Sequence, residues 1–409
     1  MSTIRFIHTA DLHLDSPFKG MTGLPPARLH ELRESTFTAF NRLIDYAVKT
    51  SPDFLLIVGD IYDGEDRSLR AQRKFQEGME KLHEAGIPVY VTYGNHDHLS
   101  GNWTRFELPP NVYEFSGEVE EVLLTVRGMD VVFHGFSYPN RHVREEMISK
   151  YPAASDNQSF HIGLLHGSIA GNDTHAVYSP FTIGELQSKQ YDYWALGHIH
   201  VRQHLSEDPP IVYPGNIQGR HRNELGEKGF YEVELSKSET NFSFVPTAAV
   251  HFGKIQIPSV NIRHANEWLA ACEEALLSFA TEHGPSVVDV EIVHLDDETA
   301  AFFAQTAEDV WLEAIREVMD GNDPFVWVQR LTVTATHDYK ENNALVESVI
   351  GQVDGWSSDE WKQVLGDVYQ HIRTARYLDP LTDEDIRDLR SEVEKLLLNE
   401  LPTVMGVNR

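Results

Sequence analysis

Five short apolar runs, each cut off by a segment of Asp, Asn, His and Gly, constrain this chain more than any other feature. They are IRFIHTA (4–10), DFLLIVGD (53–60), PVYVTYGNHD (88–97), FHIGLLHGS (160–168) and YDYWALGHIH (191–200). Runs this short with abrupt polar ends read as buried strands, and α/β folds place their chemistry in the loops at strand ends. Between the first two runs, Leu29, Leu32, Phe37, Phe40, Leu43, Ile44 and Ala47 recur at helical spacing, which predicts a crossover helix. VVFHGFSYP (131–139) and the stretch from PIVYPGN to GFYEVEL (210–235) read as further strands, several of them paired antiparallel. The pattern predicts an α/β fold whose five strand ends meet on one rim.

At 409 residues the chain is too long for one domain of roughly 150 residues. The composition changes near 246–252. From there a strand (253–257), a helix carrying Trp268, Leu269, Cys272, Leu276 and Phe279, a strand (287–293), a helix (303–319) and a strand (325–334) read as a small α+β module. Beyond about residue 336 the sequence turns helical and acidic. There Ile386, Leu389, Val393, Leu396, Leu397 and Leu401 make one apolar face behind Pro380 and a Thr382 cap, which either packs on its own domain or docks a partner. The expected division is 1–250, 251–335 and 336–409.

Charge narrows the partners. The 34 Lys and Arg stand against 63 Asp and Glu, a net −29, and residues 286–409 hold over half of that imbalance. Such a field repels polyanions, so the tail is a poor site for DNA phosphate and solvation is its plainer role. A single cysteine, Cys272, forms no internal disulfide, lies on a helix's apolar stripe and fits a reducing compartment. The apolar runs fall short of the roughly 18 residues a membrane helix needs, and no leader-like segment precedes Asp11. A cytoplasmic location without a membrane span is expected.

Asp11 and His13, in DLHLD, lie two apart after the first run, so an extended backbone points both to one side. Asp60, in VGDIYD, follows a glycine that allows close approach; Asn95, His96 and Asp97 follow the third run, His166 the fourth, and His198 and His200 the fifth. Asp11, His13, Asp60, Asn95, His166, His198 and His200 thus form a set of oxygen and imidazole donors without sulfur, suited to two divalent first-row ions. One carboxylate can bridge two cations about 3.5–4 Å apart, which clamp phosphate oxygens and lower the pKa of a bound water.

The order D-x-H, GD-x-x-D, GNHD, H-G and GH-x-H resembles the calcineurin-like metallophosphoesterase superfamily. DLHLDSPFKG and YPGNIQGRHRNELGEKGF narrow the resemblance to the bacterial SbcD-type DNA repair nucleases, in particular the YhaO branch. Beyond about residue 250 the likeness is one of architecture more than of motifs. It implies a metallophosphoesterase β-sandwich flanked by helices, then a small α+β cap domain and a helical C-terminal region. It also implies that Asp11, His13, Asp60 and His200 hold one ion, that Asp60, Asn95, His166 and His198 hold the other, and that Asp60 bridges them. His96 would be the non-ligand acid at the leaving oxygen, Asp97 would fix its tautomer, and manganese would be the usual metal; ligand chemistry alone also admits iron, zinc or magnesium. Relatives of this type work as homodimers with an SMC-like coiled-coil ATPase (SbcC-type) that grips DNA. Two departures matter. Asp63, Gly64 and Glu65 stand where protein phosphatases carry an arginine, which argues against a phosphoprotein substrate. Archaeal and eukaryotic nuclease relatives carry a second histidine where this chain has Asp63, so a step assigned to that histidine does not carry over.

Of the other residues, His8 reads as a buried support for the first loop, and His134 and His161 as structural. Asn216, Arg220 and His221 sit in a Gly-containing loop and either touch a phosphate or serve the loop itself. Trp103 and Arg105 follow the third block and are candidates for stacking or pairing with nucleic acid, a structural role being the alternative. The expectation is a two-metal phosphodiesterase acting on DNA ends by in-line attack, in double-strand break repair with the ATPase partner. The alternatives are a metallophosphoesterase for nucleotides or other small phosphoesters, and a scaffold with a degenerate site, against which the complete donor set speaks.

Overall fold

Each of the five apolar runs forms a strand, and alternation along the runs decides what each face covers. The computed structural model describes residues 3–333 except 19–20, 22, 65–67, 101–103, 105, 171–177 and 261; beyond 333 it describes 348–349, 351–353, 355–366, 386, 389–390 and 393. In chain order, β1 (Thr3–Thr9), α1 (Pro26–Thr50), β2 (Phe54–Val58), α2 (Leu69–Glu84), β3 (Val89–Thr92) and β4 (Val112–Glu114) come first. They are followed by β5 (Glu120–Val126), β6 (Met129–Gly135), β7 (Phe160–His166), α3 (Ile183–Ser188), β8 (Tyr193–Gly197), β9 (Gln203–Glu207), β10 (Pro210–Tyr213), β11 (Gly229–Ser236) and β12 (Thr240–Pro246).

Two six-stranded sheets result, ordered β12-β11-β1-β2-β3-β4 and β5-β6-β7-β8-β10-β9. Strands β1, β2 and β3 run parallel, as do β7 and β8, so their polar C-terminal ends fall on one side of each sheet. Antiparallel pairing enters through β11 with β1 and β12, β5 with β6, and β9 with β10. Phe6, Phe54, Leu56 and Val58 share an apolar layer with Phe133, Ile162, Leu164 and Tyr193 of the second sheet. The alternate residues Ile7, Leu55, Ile57, Val89 and Val91 meet Phe40, Leu43, Ile44, Phe75 and Met79 of α1 and α2. A layer of Phe136, Tyr151, Leu186, Trp194 and Leu196 covers the outer side of the second sheet. This is a mixed α/β architecture of two facing sheets flanked by helices.

The α+β module follows as β13 (His251–Pro258), α4 (Ala265–His283), β14 (Ser286–Val293), α5 (Asp297–Phe303), α6 (Glu308–Val318) and β15 (Val326–Val333). Its three strands are parallel in the order β13-β14-β15, and Trp268, Cys272, Leu276, Val290, Trp311 and Ile315 fill its core. The module packs on the first part through Phe18, Leu24 and Leu32 against Val250, Phe252, Val287 and Phe325. The helix expected over 303–319 is α6, which begins only at Glu308; α5, which ends at Phe303, was not expected, and Asp296 caps it by accepting from the Thr299 amide at 2.8 Å. The periodicity concealed the break because Phe303 and Trp311, on either side of it, enter the same core with ring centroids 5.4 Å apart.

Residues 1–171 and 177–334 cluster as one compact unit, and 172–176 with 335–409 as a second. Within the second, α7 (Ser358–Val364) begins with a reciprocal cap between Ser357 and Glu360. Ile386 is buried, but half of the apolar face expected there, Leu396, Leu397 and Leu401, lies outside the described residues, as do Trp103 and Arg105. No helix among the described residues is long and apolar enough to cross a membrane.

Candidate metal centre

The loops after β1 and β2 run side by side: the amides of Asp11 and His13 donate to the carbonyls of Gly59 and Asp60 at 3.1 and 3.0 Å. Asp11, His13, Asp60 and His198 all adopt positive φ (52°, 43°, 48° and 100°), a conformation that costs a side-chain-bearing residue roughly 1–3 kcal/mol. The surrounding backbone bonds hold that strain and turn the side chains into the rim. Gly59 and Gly94 are required by close approach, since a Cβ at Gly59 would overlap the His166 imidazole and one at Gly94 would overlap Asp60 and His166.

All seven donors named from the sequence lie at this rim, and all but His198 and His200 are almost fully buried. Asp60 is central. Its Oδ2 stands 3.3 Å from His166 Nε2 and 3.8 Å from His13 Nε2, while Oδ1 accepts the His96 amide at 2.9 Å. His166 Nε2 is also 3.1 Å from Asn95 Oδ1. His13 Nε2 faces His200 Nε2 at 3.1 Å, and the latter is 3.9 Å from Asp11 Oδ1. Asp11 in turn accepts the His198 amide with both oxygens at 3.0–3.1 Å. Asp11, His13 and His200 form one cluster of potential ligand atoms within 4.8 Å of one another, and Asp60, His166 and His198 form a second.

Hydrogen bonds at the far nitrogens aim the imidazoles. His166 Nδ1 donates to the Val58 carbonyl at 3.1 Å and His200 Nδ1 to Glu224 Oε1 at 2.7 Å, so both Nε2 lone pairs point inward. Carboxylate oxygens, an amide oxygen and imidazole nitrogens thus converge on one rim, a donor set whose chemistry suits divalent cations. The electrostatics agree. Although burial opposes it, the surrounding imidazoles of His166, His96 and His13 hold Asp60 well below the usual carboxylate range, and Asp60 lifts His166 to about 9 against the same burial. Burial pushes Asp11 upward and His13 downward.

His96 sits at the edge of the centre with its ring one-third exposed (33%), open to a substrate. The carboxylate beside it is Asp63, 3.6 Å from Nδ1, rather than Asp97 as expected. Both oxygens of Asp97 are engaged by backbone, accepting from the amides of Gly94 and Ile61 at 2.7 Å each, because its buried side chain turns back under its own loop. Asp63 is itself steadied by Ser16 Oγ at 2.7 Å and Arg220 Nη1 at 3.1 Å, and it lies 3.7 Å from the otherwise unbonded Nδ1 of His13.

Sequence reasoning missed Glu224. It accepts from His200, from Asn216 Nδ2 at 2.7 Å and from the Arg220 amide at 2.8 Å, so it organises the loop after β10 and one imidazole of the centre. No spacing signal singles it out. Tyr138 and Tyr213 were also missed; their hydroxyls donate to the carbonyls of His166 and Gly167 at 2.7 and 2.6 Å. His8 supports the sandwich interior by donating from Nε2 to the Leu196 carbonyl and accepting from Tyr193 at Nδ1. His134 and His161 contact each other at 3.0 Å beneath Tyr191.

A buried carboxylate shared between two sets of inward-facing donors, at the aligned ends of parallel strands, defines a metal-dependent phosphoesterase. The chain belongs to the calcineurin-like metallophosphoesterase family: the model of the calcineurin-like phosphoesterase domain matches residues 4–202. A metallophosphoesterase of Bacillus subtilis called YhaO, described as uncharacterized, is 35% identical over 408 residues, 98% of either chain. DNA double-strand break repair proteins named Mre11 are more distant. That of Methanocaldococcus jannaschii is 26% identical over 58% of this chain and 64% of its own, and that of Thermoplasma acidophilum 24% over 60% and 65%. The family uses divalent metals, and the clusters around Asp11 and Asp60 are suited to hold them.

Proposed function

We propose that the chain is a two-metal phosphodiesterase in which Asp11, His13, Asp60 and His200 hold one divalent ion, Asp60, Asn95, His166 and His198 hold the second, and Asp60 bridges the pair. The observation that carries this reading is the convergence of donors on Asp60, with His166 and His200 turned inward by bonds at their other nitrogens. When bound, the ions supply a water of lowered pKa and a positive clamp for phosphate oxygens. The protein's own share is orientation and a proton. Glu224 and the Val58 carbonyl fix two imidazoles; Asp97 pins the loop that presents Asn95 and His96. His96, with Nδ1 towards Asp63, keeps Nε2 for the departing oxygen and gives it a proton.

The substrate is DNA, attacked near its ends. The strings DLHLDSPFKG and YPGNIQGRHRNELGEKGF and the distant likeness to archaeal double-strand break repair proteins support this. Manganese is the metal, the chain is a cytoplasmic homodimer, and an SMC-like ATPase supplies the grip on DNA that a chain of net charge −29 lacks. That same charge favours a second reading, hydrolysis of nucleotides or other small phosphoesters, which need no extended basic surface.

Manganese loading followed by metal analysis and parallel assays tests both. Two ions per chain, hydrolysis of bis(p-nitrophenyl) phosphate and nucleotide release from linear duplex, enhanced by a co-purifying ATPase, are expected. Turnover confined to mononucleotides or cyclic nucleotides would establish the second reading, and fewer than one ion per chain would sink both.

A further inference from the structure

The side of the centre formed by His198 continues into a small basic and aromatic surface that the hydrolytic reading does not use. The ring of Tyr178 packs edge-on to His198 with centroids 5.1 Å apart, and His142 stacks on Tyr178 at 5.8 Å with planes 16° apart. Arg141, His142 and Arg144 are exposed around the buried Val143, whose carbonyl accepts the Ser179 amide at 2.6 Å and ties the two segments together. The hydroxyl of Tyr178 takes a hydrogen bond from Arg141 and feels the charge of Arg144. The acids that follow are turned elsewhere: Glu145 pairs with Lys150 at 3.1 Å, and Glu146 accepts the Ser149 amide at 2.9 Å. A local positive edge therefore borders the centre in a chain of net charge −29.

We infer that Arg141, His142, Arg144 and Tyr178 form a subsite for the nucleotide next to the scissile phosphate of a single strand, its base on the exposed face of His142 and its phosphate at the two arginines. Stacking on an aromatic platform and cationic tracking of the backbone are how single-stranded nucleic acid is held without sequence preference. This inference rests on the phosphodiesterase reading above.

The test compares manganese-loaded enzyme with its Arg141→Ala/Arg144→Ala and His142→Ala variants on two substrates. One is a ten-residue oligodeoxythymidylate; the other is bis(p-nitrophenyl) phosphate, which has no neighbouring nucleotide. The ratio of the two kcat/KM values should fall about tenfold or more in the double variant, mostly through KM for the oligonucleotide, the scale set by one base stack or its equivalent. His142→Ala should lower the ratio on the normal strand and leave it unchanged on a strand abasic at that position. Equal losses on both substrates would mean that the loop only supports the metal centre, and an unchanged ratio would remove the subsite while leaving the nuclease reading in place. Wild-type enzyme that hydrolyses bis(p-nitrophenyl) phosphate but no oligonucleotide overturns the nuclease reading and the subsite together.

Discussion

At the scale of single residues, the centre separates groups that hold charge from one group that moves a proton. Asp11, His13, Asp60, Asn95, His166, His198 and His200 face inward, whereas His96 touches Asp60 through its backbone amide and keeps its ring at the open edge beside Asp63. The imidazole of His96 is therefore dispensable for the ligand set. His96→Ala should retain full metal content while kcat on an unactivated phosphodiester falls roughly 10²- to 10⁴-fold, the worth of a positioned general acid. Metal analysis beside the rate measurement checks this, and loss of an ion would make His96 a ligand.

At the scale of elements, the loops behind β2 and β3 matter as much as the side chains they carry. Gly94 lies where any Cβ would overlap Asp60 and His166, and the next residues are tied down by the Asp97 carboxylate. Gly94→Ala should push Asp60 and His166 apart and cost metal affinity tenfold or more. The apolar layers on either side of β3 are untouched by it, so the far-UV circular dichroism and the melting temperature of the chelated chain should stay near those of wild type. A variant that binds metal normally would show that the loop yields.

At the scale of the whole molecule, His8 joins the two sheets, bonded from β1 to Tyr193 and Leu196 of β8. Burial pushes its pKa from 6.5 to about 3. The unfolded chain thus binds a proton that the folded chain refuses between those values, and stability present above pH 6.5 is lost progressively as pH falls towards 3. At pH 5 this one group should cost about 2 kcal/mol relative to pH 7. Denaturant unfolding of the chelated chain at the two pH values checks the slope: His8→Gln should be less stable at pH 7 yet lose about 2 kcal/mol less than wild type on acidification. An equal loss would place the acid sensitivity in other groups.

The positions of the seven donors and of His96 were legible in the sequence because each follows its strand directly along the chain. A short apolar run followed by Asp11, Asp60, Asn95, His166 or His198 is a local pattern, and parallel pairing of such runs brings their ends to one rim. The break between α5 and α6 was not legible, since periodicity reports which side of the chain is buried and not where the hydrogen-bond ladder stops. Glu224 beside His200 and Asp63, rather than Asp97, beside His96 depended on the tertiary structure. So did the choice of which nitrogen of His166 and His200 faces the cations. These are contacts between residues 24 to 108 positions apart, chosen by how folded loops pack and absent from any pattern that neighbours in sequence can carry.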